Sequence, residues 1–316
     1  MLYSGIDISQ DGLDADLPSG VRRFAQTPAG HAELLAAWPA ETVAVVEATG
    51  PYGLRLLATW HAARQRISVV NPLTVRRFAQ SGLRRAKTDR TDAALLTAYG
   101  RALSPPLHQP PALWLSQLQQ RQALLDLLRG QRTALRNHQH ALAQSPWPDP
   151  ASTAALAAQL AQLEQQIADL EAQLARDAQA QAPADLARLR SVPGIGERVS
   201  VALLLVGPGL RAFAGPRQAV AYAGLCPRTY ESGTSVRGRP RLSKLGDGRL
   251  RKLLYVAAWS ASRHNPACAA HYQRLLAAGK AKQQALCAVA ARLLRQAWAV
   301  LYHNQLFSPD CHLKFG

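Results

Sequence analysis

Four acidic side chains sit where a carboxylate needs a reason. Asp7 interrupts the apolar run Leu2–Ile8, and Glu47 closes Thr42–Glu47, the most hydrophobic strand-like stretch of the chain. Asp89 and Asp92 lie three apart at the start of a predicted helix, Thr88–Ala98, so they share one helix face. A carboxylate inside a buried strand is costly unless it is paired or binds a cation. Hard oxygen ligands near the ends of neighbouring strands suit Mg²⁺, which takes one or two carboxylates plus substrate phosphate. Two such ions stabilise the attacking and leaving oxygens of a phosphodiester transfer. Three of the acids also have a plainer role open to them. Asp89 fits a helix N-terminal acid favoured by the macrodipole, Asp92 a partner for a nearby arginine, Asp7 the cap of a turn. The joint pattern favours the metal site. Arg84, Arg85 and Lys87, with Arg76, Arg77 and Arg90, would hold phosphates beside it.

Two further segments carry phosphate chemistry. Val192-Pro193-Gly194-Ile195-Gly196 leads into a helical pattern and matches the hairpin of a helix-hairpin-helix element. There the backbone N–H groups around Gly194 and Gly196 would grip a phosphate without reading sequence; a plain tight turn before a helix fits the same residues. The second segment is Thr229–Gly248, rich in Gly, Ser and Arg, which reads as a long basic loop. A loop of that length within a domain is usually functional or disordered. Its hydroxyls would serve as phosphate donors, or one of them as a nucleophile, since arginines stabilise charge developing at phosphorus. The residues alone leave Ser232, Thr234, Ser235 and Ser243 all open.

The elements that must position these groups follow from periodicity. Residues 1–107 alternate apolar runs (Leu2–Ile8, Thr42–Glu47, Ile67–Val70) with helical patterns (Gly30–Trp38, Tyr52–Arg64), the order of an α/β domain with a partly parallel sheet. Leu13–Leu17 reads as a hairpin partner of the first strand. Residues 108–182 change character. A Gln/Leu/Ala-rich helix from Leu113 to Ala143 is broken by Ser145–Pro150, after which Leu156, Leu160, Leu163, Ile167, Leu170 and Leu174 form an a/d seam. An antiparallel helical hairpin, a coiled-coil connector able also to pair protomers, is the simplest reading. Residues 183–316 continue as a mainly helical domain, with patterns at Val199–Val206, Arg217–Ala223, Leu250–Arg263 and Gln283–Tyr302.

Composition limits the function classes. The 316 residues are 48% hydrophobic and 18% charged, which is globular rather than disordered. Lys and Arg number 37 against 20 Asp and Glu, a formal net charge of +17. From Ser191 onward there are 18 Lys/Arg against four Asp/Glu, so +14 of the excess lies there. Such a surface repels itself unless it meets an anion, and nucleic acid is the natural partner. Aromatics at 6% argue against recognition built mainly on stacking. Cys226, Cys268, Cys287 and Cys311 are widely spaced, without a CxxC pair, and fit reduced thiols. No run approaches the ~18 apolar residues of a membrane span, and Met1–Gln10 lacks a signal-peptide layout, so no membrane and a cytoplasmic, nucleoid-associated, bacterial-type location are expected.

The residues also carry a resemblance. Gly5-Ile6-Asp7, Val46-Glu47-Ala48-Thr49-Gly50, Val70-Asn71-Pro72 and Lys87-Thr88-Asp89-Arg90-Thr91-Asp92-Ala93 resemble the N-terminal half of the DEDD insertion-sequence recombinases. This is the insertion sequence 110 family, which includes a pilin-gene-inverting enzyme. Tyr222-Ala223-Gly224-Leu225, Pro227-Arg228, Glu231-Ser232-Gly233, Ser243-Lys244 and Leu250-Arg251 match its second half in order. The resemblance implies a RuvC-like (RNase H-type) domain at 1–107, a coiled-coil connector at 108–182 and a C-terminal transposase domain at 183–316. It implies Asp7, Glu47, Asp89 and Asp92 as Mg²⁺ ligands, and Ser232 as the nucleophile of a transient phosphoserine link. Arg228, Arg237, Arg239, Arg241, Lys244 and Arg251 join the expected phosphate-binding set. It implies as partners donor and target DNA, a structured bridge RNA that selects both, and dimers assembling to tetramers. A sequence-blind phosphate grip suits delegation of sequence choice to RNA. Two other readings remain: a structure-selective nuclease using metal-activated water, and a non-catalytic nucleic-acid scaffold.

Overall fold

A computed structural model describes residues 1–48, 50–81, 89–207, 209–228, 231–232, 236–237, 241–242 and 245–309, with the side chains of 89–91, 228, 231–232, 236–237 and 241 left aside. It divides into two compact units, Met1–Pro110 and Pro111–Gly316.

The first unit is built on a five-stranded mixed sheet. β1 (Leu2–Ile8), β2 (Gly12–Leu17) and β3 (Gly20–Ala25) form an antiparallel meander, and β4 (Thr42–Glu47) and β5 (Ile67–Val70) extend it in parallel. The order is β3-β2-β1-β4-β5. Central β1 and β4 are buried on both faces, which is why they read as near-continuous apolar runs. One face is filled by Ile6, Ile8, Ala44, Val46, Leu56 and Trp60, against α1 (Pro28–Ala37) and α2 (Tyr52–Ala62). The other carries Tyr3, Val43, Val45, Val70 and Val75, against α3 (Pro72–Ser81) and α4 (Asp89–Leu103). Local signals set the helix starts. Thr27 accepts from Gly30 N–H at 3.2 Å, and Asn71 Oδ1 accepts from Leu73 N–H at 2.8 Å ahead of Pro72.

The second unit is helical. α5 (Leu113–Ala143) and α6 (Pro150–Gln181) run antiparallel around the proline turn, with Asp149 capping α6 through Ser152 N–H at 2.8 Å. The register is fixed by ion pairs Arg121–Asp177, Arg129–Glu171 at 2.5 Å and Arg136–Glu164 at 2.5 Å. Leu156, Leu160, Leu163, Ile167 and Leu174 are buried along α6. After α7 (Pro183–Arg190), α8 (Glu197–Leu204) and α9 (Pro216–Tyr222), the chain enters a nested ribbon. β6 (Pro227–Arg228) pairs with β9 (Arg241–Leu242), and within them β7 (Glu231–Ser232) pairs with β8 (Val236–Arg237). The segment read as a long basic loop is therefore in part paired strand, through the backbones of Pro227–Arg228 with Arg241–Leu242 and Glu231–Ser232 with Val236–Arg237. α10 (Gly248–His264), α11 (Pro266–Ala277) and α12 (Lys282–Tyr302) complete the unit. α12 is long and apolar enough, by length and composition, to cross a membrane, yet 67% of its most apolar stretch is buried inside the fold. It is the core helix here.

Candidate active site

Strand register places the first two acids. β1 and β4 are parallel, with Gly5 opposite Val45 and Ile6 opposite Val46. Continuing by one residue sets Asp7 beside Glu47 at the carboxyl ends of both strands. Side chains alternate along a strand, so Asp7 and Glu47 share the face of Tyr3, Val43 and Val45, the face covered by α4. Both are half-buried.

α4 brings the third acid to that face. Gly5 makes this possible: a Cβ there would stand 2.1 Å from the Ala93 carbonyl oxygen and 2.6 Å from Leu96 Cβ. The helix therefore lies almost on the strand backbone. Thr97 locks it, accepting from Gly5 N–H at 2.8 Å and donating to Asp16 Oδ2 at 2.6 Å. Ser4 Oγ in turn donates to the Asp16 carbonyl. Asp92, half-buried, precedes Ala93 in the first turn of α4 and so lies at the strand-end level of the face that bears Asp7. Asp89 opens the same turn, and its side chain lies outside the described residues.

Sequence reasoning missed three residues of this neighbourhood. Asp14 is directly opposite Asp7 in the β1–β2 ladder; it is buried and paired with Arg23 at 3.2 Å, its neighbour on β3. Asp16 and Thr97 form the lock just described. The hairpin register, counted outward from Ser9–Gly12, contained the Asp7–Asp14 pairing. The Thr97 contact spans 81 residues to Asp16 and had no local signal.

Carboxylates alone form this set, the hard oxygen donors that Mg²⁺ takes. Among the described residues, no three His, Cys, Asp or Glu side chains converge tightly enough to hold a metal ion. Asp7, Glu47 and Asp92 are the right donor type but do not by themselves form a metal site, and the Asp89 side chain lies outside the described residues. Among the described residues the cysteines offer no alternative: Cys226, Cys268 and Cys287 are unbridged, and burial pushes the Cys268 thiol up to about 12, while Cys311 lies outside those residues.

The expected phosphate-binding residues divide. Arg84, Arg85, Lys87, Arg239 and Lys244 lie outside the described residues. Arg228, Arg237 and Arg241 occupy ribbon positions, and Ser232 pairs through its backbone with Val236 at the inner end of the ribbon. Arg251 is half-buried and donates to the Ala223 carbonyl at 3.2 Å, tying α10 to the end of α9. The Val192–Gly196 turn is tight, with Ile195 N–H donating to the Val192 carbonyl at 3.0 Å. Gly194 has φ +101, and a Cβ there would meet Ala261 Cβ at 2.6 Å. Gly196 is the N-cap of α8 and faces open space. Fully buried Asn265 anchors the turn, donating to the Pro193 carbonyl at 3.2 Å and to Gln296 Oε1 at 2.9 Å.

Comparison with known proteins matches two family models in chain order. A transposase model of the DEDD IS110 type covers residues 5–148, and the model for the transposase IS116/IS110/IS902 family covers 186–273. The chain is similar to the pilin gene-inverting protein of Moraxella lacunata, 30% identical over 279 residues, 85% of this chain and 82% of that protein. The Moraxella bovis protein of the same name is also 30% identical, over 280 residues, with the same coverage of both chains. An uncharacterized 43.6 kDa protein of insertion element IS110 from Streptomyces coelicolor is 36% identical over 115 residues, 36% of this chain and 27% of that one.

Proposed function

The chain belongs to the IS116/IS110/IS902 family of transposases, and from that premise we propose that it recombines DNA through a covalent serine intermediate. The observation that supports this best is the strand register that sets Asp7 beside Glu47 on the face covered by the Asp92 turn of α4. The first unit is read as a RuvC-like, RNase H-type domain, whose carboxylates Asp7, Glu47, Asp89 and Asp92 hold Mg²⁺. A bound divalent ion neutralises charge on the scissile phosphate and lowers the pKa of an oxygen attacking it.

The protein's own residues do the rest. The Ser232 hydroxyl attacks phosphorus; the Oγ–P bond forms as the bond to the leaving sugar oxygen breaks. The serine proton passes to a base, and the leaving oxygen takes up a proton. Rejoining reverses the step, with the hydroxyl of a new strand displacing Ser232. Arg228, Arg237, Arg239, Arg241 and Lys244, near the serine in sequence, would supply positive charge where the transition state gains negative charge. The Gly194–Gly196 turn is read as the phosphate-gripping hairpin of a helix-hairpin-helix element. The α5–α6 hairpin is read as a coiled-coil connector that pairs protomers into dimers and then tetramers. The partners are donor and target DNA, with a structured bridge RNA choosing both.

The test uses substrate DNA bearing the element junction, together with the RNA that co-purifies with the protein. Ser232→Ala is expected to abolish both the covalent protein–DNA adduct and recombination, and Asp7→Asn to abolish strand cleavage with RNA binding retained. Cutting by the Ser232→Ala variant would establish a water-using nuclease instead. Full strand cleavage by an Asp89→Ala, Asp92→Ala variant would remove these carboxylates from the chemistry.

A further inference from the structure

The outward face of α10 pairs an apolar platform with unneutralised charge. The buried side of this helix is Leu250, Leu254, Ala257, Ala258 and Ala261. On the opposite side Lys252, Val256, Trp259 and Arg263 follow at spacings of four, three and four, a single stripe about 16 Å long. Val256 is 62% exposed and Trp259 52% exposed. Between Gly248 and His264 the helix carries no Asp or Glu. Arg249 is bound to Asp126 at 3.0 Å, whereas among the described residues Lys252 and Arg263 have no ion-pair partner. The other mostly exposed tryptophan, Trp147, differs in setting: it lies between two prolines and next to Asp149, at the tip of the helical hairpin.

A large aromatic surface left in water between two cations has the chemistry of a nucleotide site. An indole face stacks on any base, and the flanking cations meet the phosphates on either side. A protein partner of ordinary composition would bring apolar surface to Trp259 and Val256 but would leave Lys252 and Arg263 without counter-charge. Duplex DNA would satisfy the cations and offer the indole no base face. We infer that the Lys252–Val256–Trp259–Arg263 face of α10 holds an unpaired DNA strand, with one base stacked on Trp259. The inference rests on the DNA recombinase reading above. In chain order α10 follows the ribbon that carries Ser232, and a cut strand awaiting rejoining presents unpaired bases.

The test measures binding by the full chain to a labelled unpaired DNA oligonucleotide, to its duplex and to an RNA of the same sequence. Trp259→Ala is expected to weaken unpaired DNA about tenfold and to leave the duplex within about twofold. Trp259→Phe should retain binding. Lys252→Ala with Arg263→Ala should weaken unpaired and duplex DNA alike, lowering the single-strand salt slope by about 1.4 for two lost phosphate contacts. For Trp259→Ala, an equal loss on duplex and unpaired DNA, or no loss on either, overturns the stacking site. Loss confined to RNA reassigns the face to an RNA. A change in sedimentation with DNA binding intact makes it a contact between copies. If the unmodified chain binds no DNA at all, the recombinase reading falls first and carries this inference with it; a neutral Trp259→Ala in a protein that still cuts DNA overturns the inference alone.

Discussion

Gly5 and Thr97 set how closely α4, which carries Asp92, lies on the strand that bears Asp7. Gly5 has ordinary backbone angles, so its smallness matters only for space: α4 rests where a methyl group would be. Overpacking of this kind costs about 1–3 kcal/mol, and misplacing a catalytic group by about 1 Å can cost roughly 10²-fold in rate. Gly5→Ala is therefore expected to lower the melting temperature and to cut strand cleavage about a hundredfold. A variant that melts early but cleaves normally would show that close approach of α4 is needed only for folding. Thr97→Val tests the lock with little change in shape. It leaves Gly5 N–H and Asp16 without their partner, and should raise the Mg²⁺ concentration needed for half-maximal cleavage. Thr97→Ser, which keeps the hydroxyl, should restore the metal response. An unchanged metal response in Thr97→Val would reduce the lock to a purely structural contact.

At the scale of elements, legibility followed how local the controlling physics was. β4 and α5 were plain because an apolar β-branched run and an uninterrupted helical composition depend on neighbours in sequence. β3 was not, since an edge strand with Arg22 and Arg23 outward lacks the apolar density of a buried one. The ribbon around Ser232 was hidden because its two-residue strands are too short for alternation to register. At the candidate site, Asp7 and Glu47 stand out in the sequence as charges in apolar strands, while the contact between Asp16 and Thr97 exists only once α4 is docked. The connector offers a prediction of its own. Leu124 and Leu127 are 44% and 58% exposed on α5, away from the α6 seam, and the proposed pairing of protomers would cover them. Leu124→Asp with Leu127→Asp should leave helicity unchanged and shift sedimentation from dimer to monomer; an unaltered dimer would place the pairing surface elsewhere. Asp185 gives a pH test of the same unit. A hydrogen bond from Arg211, reinforced by Arg188, holds its carboxyl below the ordinary value of 3.8. A depressed acid stabilises the fold above its unfolded pKa, and that contribution disappears as pH falls through the lower folded value. With Arg211 43% exposed, solvent screening reduces it to about 1 kcal/mol. Wild type should exceed Asp185→Asn by that amount near neutrality, and the two should converge in acid; a gap independent of pH would remove the ion pair as its cause.

Across the whole molecule, charge and chemistry are segregated. Residues 1–110 carry 12 Lys/Arg against nine Asp/Glu, residues 111–190 seven against seven, and residues 191–316 eighteen against four. On the proposed reading the acids of the first unit face the phosphate under attack, and the basic excess of the last segment supplies the attraction that overcomes their repulsion of DNA. Binding and cutting should therefore separate. With about six to ten cations on phosphates, affinity for DNA should fall roughly 10³–10⁵-fold between 50 and 200 mM salt. Asp7→Asn should follow the same salt line, displaced if anything toward tighter binding, because it removes one negative charge facing the phosphate. Only its cleavage should vanish. A shallow salt dependence would mean that the basic excess lies away from the DNA. A variant that lost affinity and cleavage together would mean that the acids bind substrate through their ions, so that the two units divide neither task.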